Sequence, residues 1–477
     1  MLAMVLSGIA LGSLIATPVL KRWPPALWWF GALHAGAGVL ALTGARWLAD
    51  VYAPATAASG LAGGAAIKIL PTAIALGMAF PIGIRLWLES NERAGRDVGI
   101  VYALNLAGAI AGSVFAGFVM LSRLGTSRSL AVLAAASATL GVLILLADLR
   151  RAPRVVLLLL VIFTGLHVSQ AAKVPDPFRT ALTRRYADAG HVFMRDEGVQ
   201  TTVSVHMRER GGRQLYLDGL HQASDGTDVV LLHRQIGHLP VLLHPQPTRA
   251  LVIGLGGGAT AGAVSLHPNL AVDVVELASG VVKAADWFTH INEGVTRRSN
   301  VRLHLNDGRN HLLLGRGRYD VITADVIQPT HAGAGLLYSR EYFSLARRAL
   351  TDGGVMVQWI GARSRLHYEL IARTFQSVFP ETTVWVNGSL LIGSMRPLTI
   401  DPAALQRRFS EPALNESLAA AGFRDARTVM SHYTAGPGAL RSFVNDGPIL
   451  TDDKPLLEYY LSLPPDTRPL DLHRLGR

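Results

Sequence analysis

Three carboxylates and a run of glycines carry the chemistry legible in this sequence. Leu251–Thr260 reads LVIGLGGGAT, with glycines at 254, 256, 257 and 258. Glu276 closes the apolar run VDVVE, Asp307-Gly308 follow Val301–Leu305, and Asp325 closes YDVITAD. Glycines let a chain turn tightly and bring its backbone close to a ligand. A carboxylate accepts hydrogen bonds, attracts a cationic amine and can take a proton. Glu276 stands 22 residues after Gly254, a distance at which an acidic residue reaches the hydroxyls of a ribose. Asp307 could accept from an exocyclic amine such as that of adenine, and Asp325 falls where the reacting end of a ligand would lie. The plainer readings are a βαβ unit without a ligand, a simple turn at Asp307-Gly308 and a helix cap at Asp325.

These residues need elements that gather them. The runs Leu251–Gly254, Val272–Glu276, Val301–Leu305, Tyr319–Asp325 and Gly354–Trp359 read as strands, and Ser339–Ala349 reads as a helix. Such alternation predicts a parallel, Rossmann-like α/β sheet. Ligands of open α/β sheets sit beyond the carboxyl ends of the strands. The glycine turn, Glu276, Asp307-Gly308 and Asp325 all fall at such ends, so one crevice should hold them. Ahead of this sheet, Thr201–Met207 and Gln214–Leu217, the latter closed by Asp218-Gly219, predict β-hairpins.

The first third of the chain is of another kind. Half of all 477 residues are hydrophobic, and the mean hydropathy is +0.30. Met1–Leu20, Pro25–Leu42, Ile69–Ile84, Val98–Leu121, Leu130–Ala147 and Val155–Val168 are candidate membrane spans. A cleaved signal peptide explains the first run at most, and no small-residue cleavage site stands out. Trp23, Trp28, Trp29 and Trp47 lie near span ends, where interfacial aromatics gather. Gly108 and Gly112 form a GxxxG that would let helices pack closely. The chain opens inside a hydrophobic run, so a longer ancestral membrane region is expected to be missing. The predicted organisation is a helical membrane domain of five or six spans over 1–170, a linker over 171–190, a β-hairpin subdomain over 191–245 and the α/β domain over 246–477.

Charge supports a membrane setting. The net charge of +11 fits nucleic acid or an anionic bilayer; no nucleic-acid motif is visible, so the bilayer is the expected partner. Most of the loop arginines and lysines fall in alternate loops, which places those loops in the cytoplasm. With six spans, the α/β domain would then lie outside, whereas an enzyme using a nucleoside would face the cytoplasm. With no cysteine there is no disulfide and no thiolate metal site. His233, His238 and His244 have no ligand-like spacing, so no metal is expected.

The residues from 215 onward resemble the spermidine synthase (polyamine aminopropyltransferase) family, in its membrane-fused bacterial branch. The matching text is LYLDGLHQ at 215–222, HLPVLLHPQPTRALVIGLGGG at 238–258, VVELASGVV at 274–282, NDGR at 306–309, YDVITADVIQP at 319–329 and LYSREYFSLARRAL at 337–350. TDDKPLLEY at 451–459 and the helix text at 99–125 resemble the membrane-fused branch. The resemblance implies an S-adenosylmethionine-methyltransferase-like fold, an inner-membrane location and aminopropyl transfer from decarboxylated S-adenosylmethionine to a diamine such as putrescine, without a metal. By motif position Asp325 is the base, Glu276 holds the ribose, Asp307 the adenine and Gln222 the nucleoside side, while His233 and Gln328 fall on the acceptor side. Family members commonly associate, so a homo-oligomer is also expected.

Departures from the family pattern touch the amine side. Gly257 stands where the family usually has an aspartate in the glycine turn, and Gln328 replaces the second aspartate of DxxDP. Leu232, His233 and Arg234 replace a tyrosine-histidine-glutamate segment. Arg234 in place of a carboxylate would favour an anionic acceptor. Three functions therefore compete: aminopropyl transfer, methyl transfer from intact S-adenosylmethionine, and a non-catalytic nucleoside-binding domain on a transporter-like membrane region.

Overall fold

The computed structural model describes residues 2–51, 58–88, 93–148, 154–169, 190–208, 211–324, 328–329, 333–362, 364–459, 463, 466–472 and 475. The chain divides into two compact units, Met1–Ala189 with Glu197–Val199, and Gly190–Asp196 with Gln200–Arg477.

The first unit contains α1 (Leu2–Arg22), α2 (Leu27–Val51), α3 (Ala58–Trp87), α4 (Ala94–Phe115), α5 (Leu121–Ala147) and α6 (Arg154–Ser169). Four helical stretches are long and apolar enough to cross a membrane: 2–22, 27–45, 66–87 and 94–147. The last joins two of the spans expected from sequence. At 1.5 Å per residue a straight helix of that length would run about 80 Å, against a hydrocarbon core of about 30 Å. A π-helical turn at Ala116–Met120 and a non-helical Gly125 (φ 74°, ψ 172°) interrupt it. The expected span Val155–Val168 falls in α6, whose 16 residues fall short of the usual crossing length.

Glycine sets how these helices meet. A Cβ at Gly12 would stand 2.2 Å from the Ile74 carbonyl oxygen, and one at Gly141 would stand 2.2 Å from the Ala35 nitrogen. Small residues thus bring α1 against α3 and α2 against α5. The close packing expected at Gly108 and Gly112 is not made, because α4 buries none of its residues. A Cβ at either glycine meets nothing within 4 Å among the described residues.

The second unit opens with β1 (His191–Glu197), β2 (Thr202–Met207), β3 (Arg213–Leu217) and β4 (Leu220–Ser224), a four-stranded sheet in sequence order. Asp218 and Gly219 both take positive φ, 48° and 76°, which a two-residue hairpin turn requires. Next come α7 (Thr227–Leu243), β5 (Arg249–Ile253), α8 (Ala259–Ser265), β6 (Ala271–Glu276), α9 (Ser279–Ala285), β7 (Val301–Leu305) and α10 (Gly308–Leu313). They are followed by β8 (Tyr319–Ala324), α11 (Arg340–Ala349), β9 (Leu350–Trp359), α12 (Arg365–Val378), β10 (Thr383–Trp385), β11 (Leu390–Gly393) and β12 (Tyr433–Ala435).

The main sheet runs β12-β10-β11-β9-β8-β5-β6-β7. Strands β9, β8, β5, β6 and β7 are parallel, and β11, β10 and β12 extend the β9 edge antiparallel. Helices cover both faces, so strand residues are buried on both sides. Val252, Val274, Val321 and Val357 fill one core; Leu251, Ile253, Val275, Ile322 and Met356 fill the other. The three antiparallel strands are only three or four residues long and were not read from sequence.

One buried carboxylate ties the parallel strands together. Asp273 of β6 accepts from Tyr319 Oη of β8 at 2.9 Å, from an Arg249 guanidinium NH2 of β5 at 3.1 Å and meets His304 Nε2 of β7 at 2.9 Å. The Arg318 guanidinium lies 3.6 Å away. Burial alone would raise the Asp273 pKa; the hydrogen bonds from His304, Tyr319 and Arg249 outweigh it and hold the carboxyl below its ordinary range. A depressed folded pKa means the ionised form stabilises the fold. That stability is complete above the unfolded value of about 3.9 and is lost as pH falls through the folded value. Asp273→Asn should therefore cost about 3 kcal/mol at pH 7, and the gap from wild type should narrow below about pH 4. Denaturant melts at several pH values check this, and equal midpoints at pH 7 would contradict it.

Candidate active site

The turn after β5 is built on backbone geometry. Gly254, Gly256 and Gly258 all have left-handed φ, at 89°, 54° and 86°, which side chains resist. Gly258 is the N-cap of α8, and a Cβ there would also press on Asn292 Cβ at 2.9 Å. Asn292 Nδ2 in turn donates to the Gly257 carbonyl at 3.0 Å. Gly257 differs from its neighbours: its φ is not left-handed, and a Cβ would sit in ordinary contact with Ala223 and Phe288.

Glu276 closes this turn from the next strand. It is buried, and its Oε2 accepts from Leu255 N at 2.9 Å while Oε1 accepts from Ala278 N at 2.8 Å. Burial raises its pKa, and the hydrogen bonds from backbone amides at 278, 255, 277 and 256 oppose the rise. Leu255 N and Ala278 N thus take one lone pair on each carboxylate oxygen.

Asp307 caps α10, with Oδ1 accepting from Arg309 N at 2.8 Å and Asn310 N at 3.0 Å. The turn at Asp307-Gly308 is thus a helix cap, and Asp307 Oδ2 has no hydrogen-bond partner among the described residues. Gly308 is needed for packing, since a Cβ there would meet Ile253 Cγ2 at 2.7 Å. Arg309 reaches across to Asp452 with two bonds, at 2.7 and 2.6 Å. That bidentate pair ties the Asp307 turn to the TDDKP segment and holds the Asp452 carboxyl below its ordinary range. Ser339 caps α11 by accepting from Tyr342 N at 3.2 Å.

A cavity of about 260 Å³ is lined by residues from α7, β4 and the end of β9. Gln222, His233 and Gln328 line it, as do His221, Asp228 and Trp359, which the sequence reading did not single out. Thr260 of α8 donates to the His233 carbonyl at 3.0 Å, and Ala223 faces Gly257. The cavity walls are thereby fixed to the turn. Gln222 Nε2 is buried without a partner among the described residues. Burial, Arg208 and His233 together hold the His221 pKa below its ordinary value. Asp228 went unnoticed because it reads as an ordinary acid in a first helical turn.

Other expectations are corrected. Arg234 is not part of the cavity lining; it pairs with Glu293 at 3.0 Å, so its charge is already matched. His238 faces His267 Nε2 at 3.0 Å and Ser417 Oγ at 2.9 Å, and burial with nearby Arg234 lowers its pKa to about 3. Asp273, His304 and His311 do bring three ligand-type atoms within 4.8 Å of one another. Arg249 and Arg318 stand on the same carboxylate, which makes this cluster an ion-pair hub. Asp325 lies outside the described residues.

A parallel sheet with a glycine turn and an acidic residue ending the next strand has the arrangement in which open α/β folds hold a nucleotide. Residues 230–384 match the model of the spermine/spermidine synthase domain. The polyamine aminopropyltransferase of Erwinia tasmaniensis is 30% identical over 251 residues, covering 48% of this chain and 86% of the relative. That of a Ruegeria species is 29% identical over 219 residues, covering 43% and 76%. A solved spermidine synthase from Thermotoga maritima is 20% identical, covers 53% of this chain and 87% of its own, and has a TM-score of 0.45. The chain belongs to the spermidine synthase (polyamine aminopropyltransferase) family and is an enzyme of that type. Since the turn depends on left-handed backbone, Gly258→Ala should cost roughly 1–3 kcal/mol. A thermal melt matching wild type would contradict that dependence.

Proposed function

We propose that this enzyme moves an aminopropyl group from decarboxylated S-adenosylmethionine to a diamine such as putrescine, and that its N-terminal helices anchor it in the plasma membrane. The observation that carries the reading is the glycine turn closed by Glu276 beside a cavity lined by Gln222, His233 and Gln328. Glu276 would accept from the ribose hydroxyls, Asp307 Oδ2 from the adenine amine, and Gln222 Nε2 would donate to the nucleoside side. The four long apolar helical stretches support the anchor.

The chemistry is a displacement. The neutral acceptor nitrogen attacks the carbon beside the sulfonium, the carbon–sulfur bond breaks, and the electron pair stays on sulfur as a neutral thioether. The nitrogen, now carrying an extra proton, releases it to a carboxylate, the role we assign to Asp325 by its motif position. Holding both substrates in line supplies much of the rate, and the base adds a further factor.

Methyl transfer from intact S-adenosylmethionine is the second reading. Gly257 favours it, because the turn lacks the carboxylate that the family usually places toward the aminopropyl amine. Incubating the purified full chain with putrescine and the decarboxylated donor should give spermidine, detectable by mass spectrometry; no product with any diamine would overturn the first reading. Asp325→Asn should slow transfer by about 10²-fold or more while donor affinity changes little. Turnover at the wild-type rate would remove Asp325 from the mechanism.

A further inference from the structure

The TDDKP segment near the end of the chain has no part in the chemistry described so far, yet it is bonded to the turn that carries Asp307. Its two aspartates differ: Asp452 is half-buried and pairs with Arg309, while Asp453 is exposed. Arg309 is the second residue of α10 and stands 143 positions before Asp452. Its guanidinium donates to both Asp452 carboxylate oxygens, at 2.7 and 2.6 Å, and to the Leu336 carbonyl at 2.8 Å. Asp452 N donates to Glu341 Oε2 at 3.1 Å, and Glu458 Oε1 accepts from Gly335 N at 2.8 Å. Leu450 and Leu457 are buried in the core on either side of Asp452. The partner of Arg309 is therefore itself held in place. Helix α10 has only six residues, Gly308–Leu313, and a helix that short does not hold itself in water. Its first turn keeps its form through neighbours: the Asp307 cap from one side and the Arg309 fork from the other. Without the fork the turn can fray, and Asp307 Oδ1 then loses the amides of Arg309 and Asn310.

We propose that Asp452 is a positioning residue for the base of the nucleoside: through Arg309 it fixes the Asp307 carboxylate, and so sets a preference for adenine over a base with a carbonyl in place of the exocyclic amine. The proposal rests on the reading of Asp307 as the acceptor of the adenine amine. With Oδ1 committed to the two helix amides, one oxygen of the carboxylate is left for the ligand. A carboxylate released from the cap rotates, and no single oxygen is then presented to the base. A guanidinium fork holds its partner in one plane, which a point charge does not, so the shape of the Arg309–Asp452 pair matters as well as its charge. The TDDKP motif thereby acts on nucleoside choice without touching the nucleoside.

The test compares 5′-methylthioadenosine with 5′-methylthioinosine, which carries a carbonyl where the amine stood. Calorimetry on the purified full chain reads binding without any transfer step. Wild type should prefer the adenosine compound by about tenfold, as for a hydrogen bond to a charged group. Asp452→Asn should remove most of that preference by weakening the adenosine compound alone. Asp452→Glu, which keeps the fork, should retain most of it, and Asp453→Asn should leave it unchanged. In an Asp307→Asn background, Asp452→Asn should change the ratio no further. A thermal melt shows whether Asp452→Asn is folded; if it is not, Arg309→Lys, which keeps the charge and loses the fork, should lower the ratio in the same way. A preference that survives loss of the fork would overturn the proposal, as would an equal loss of both nucleosides, the outcome of a merely structural role. No adenine preference in wild type would overturn the Asp307 assignment and the proposal with it. A preference that depends on Asp452 without spermidine formation would instead overturn the aminopropyl-transfer reading and leave the role of Asp452 standing.

Discussion

The site depends on a backbone that side chains disfavour. At Gly254, Gly256 and Gly258 the chain leaves β5 in left-handed conformation, and the Glu276 carboxylate binds the amide of Leu255 inside that turn. The two features require each other. Without the glycines the amide at 255 would not face the neighbouring strand, and without a buried carboxylate the turn would carry unsatisfied amides. Burial raises the Glu276 pKa, yet two short bonds from backbone amides support its charged form. The sheet supplies the rigid base, with Asp273 linking β5, β6, β7 and β8.

The nucleoside side and the acceptor side have changed to different degrees. Glu276, Asp307 and Gln222 are the groups we assign to the nucleoside, and the Arg309–Asp452 pair fixes the Asp307 turn. On the cavity side Asp228 is the one carboxylate among the described lining residues, and Val229, Leu232, Ile236 and Trp359 supply the apolar part of the wall.

Much of this was legible in the sequence because local rules act there. The strand ends, the glycine turn and Glu276 follow from period, spacing and backbone freedom, and the Ser339 cap follows from its position ahead of an amphipathic helix. What escaped notice depends on long-range contact. Asp228 looks like any acid in a first helical turn until β4 and β9 bring Gln222 and Trp359 opposite it. Arg234 reads as a free cation until Glu293, far along the chain, pairs with it. The short strands β10, β11 and β12 are stabilised by neighbours rather than by their own pattern, and the GxxxG of α4 has the spacing for close packing but meets no helix among the described residues.

Donor choice tests the central claim most directly. Calorimetric titration of the full chain with decarboxylated and with intact S-adenosylmethionine, repeated on Gly257→Asp, separates aminopropyl from methyl transfer. The account predicts tighter binding of the decarboxylated donor, with the preference widened by the added aspartate, which the backbone at 257 can accept. Tighter binding of the intact donor by the wild-type enzyme would contradict it.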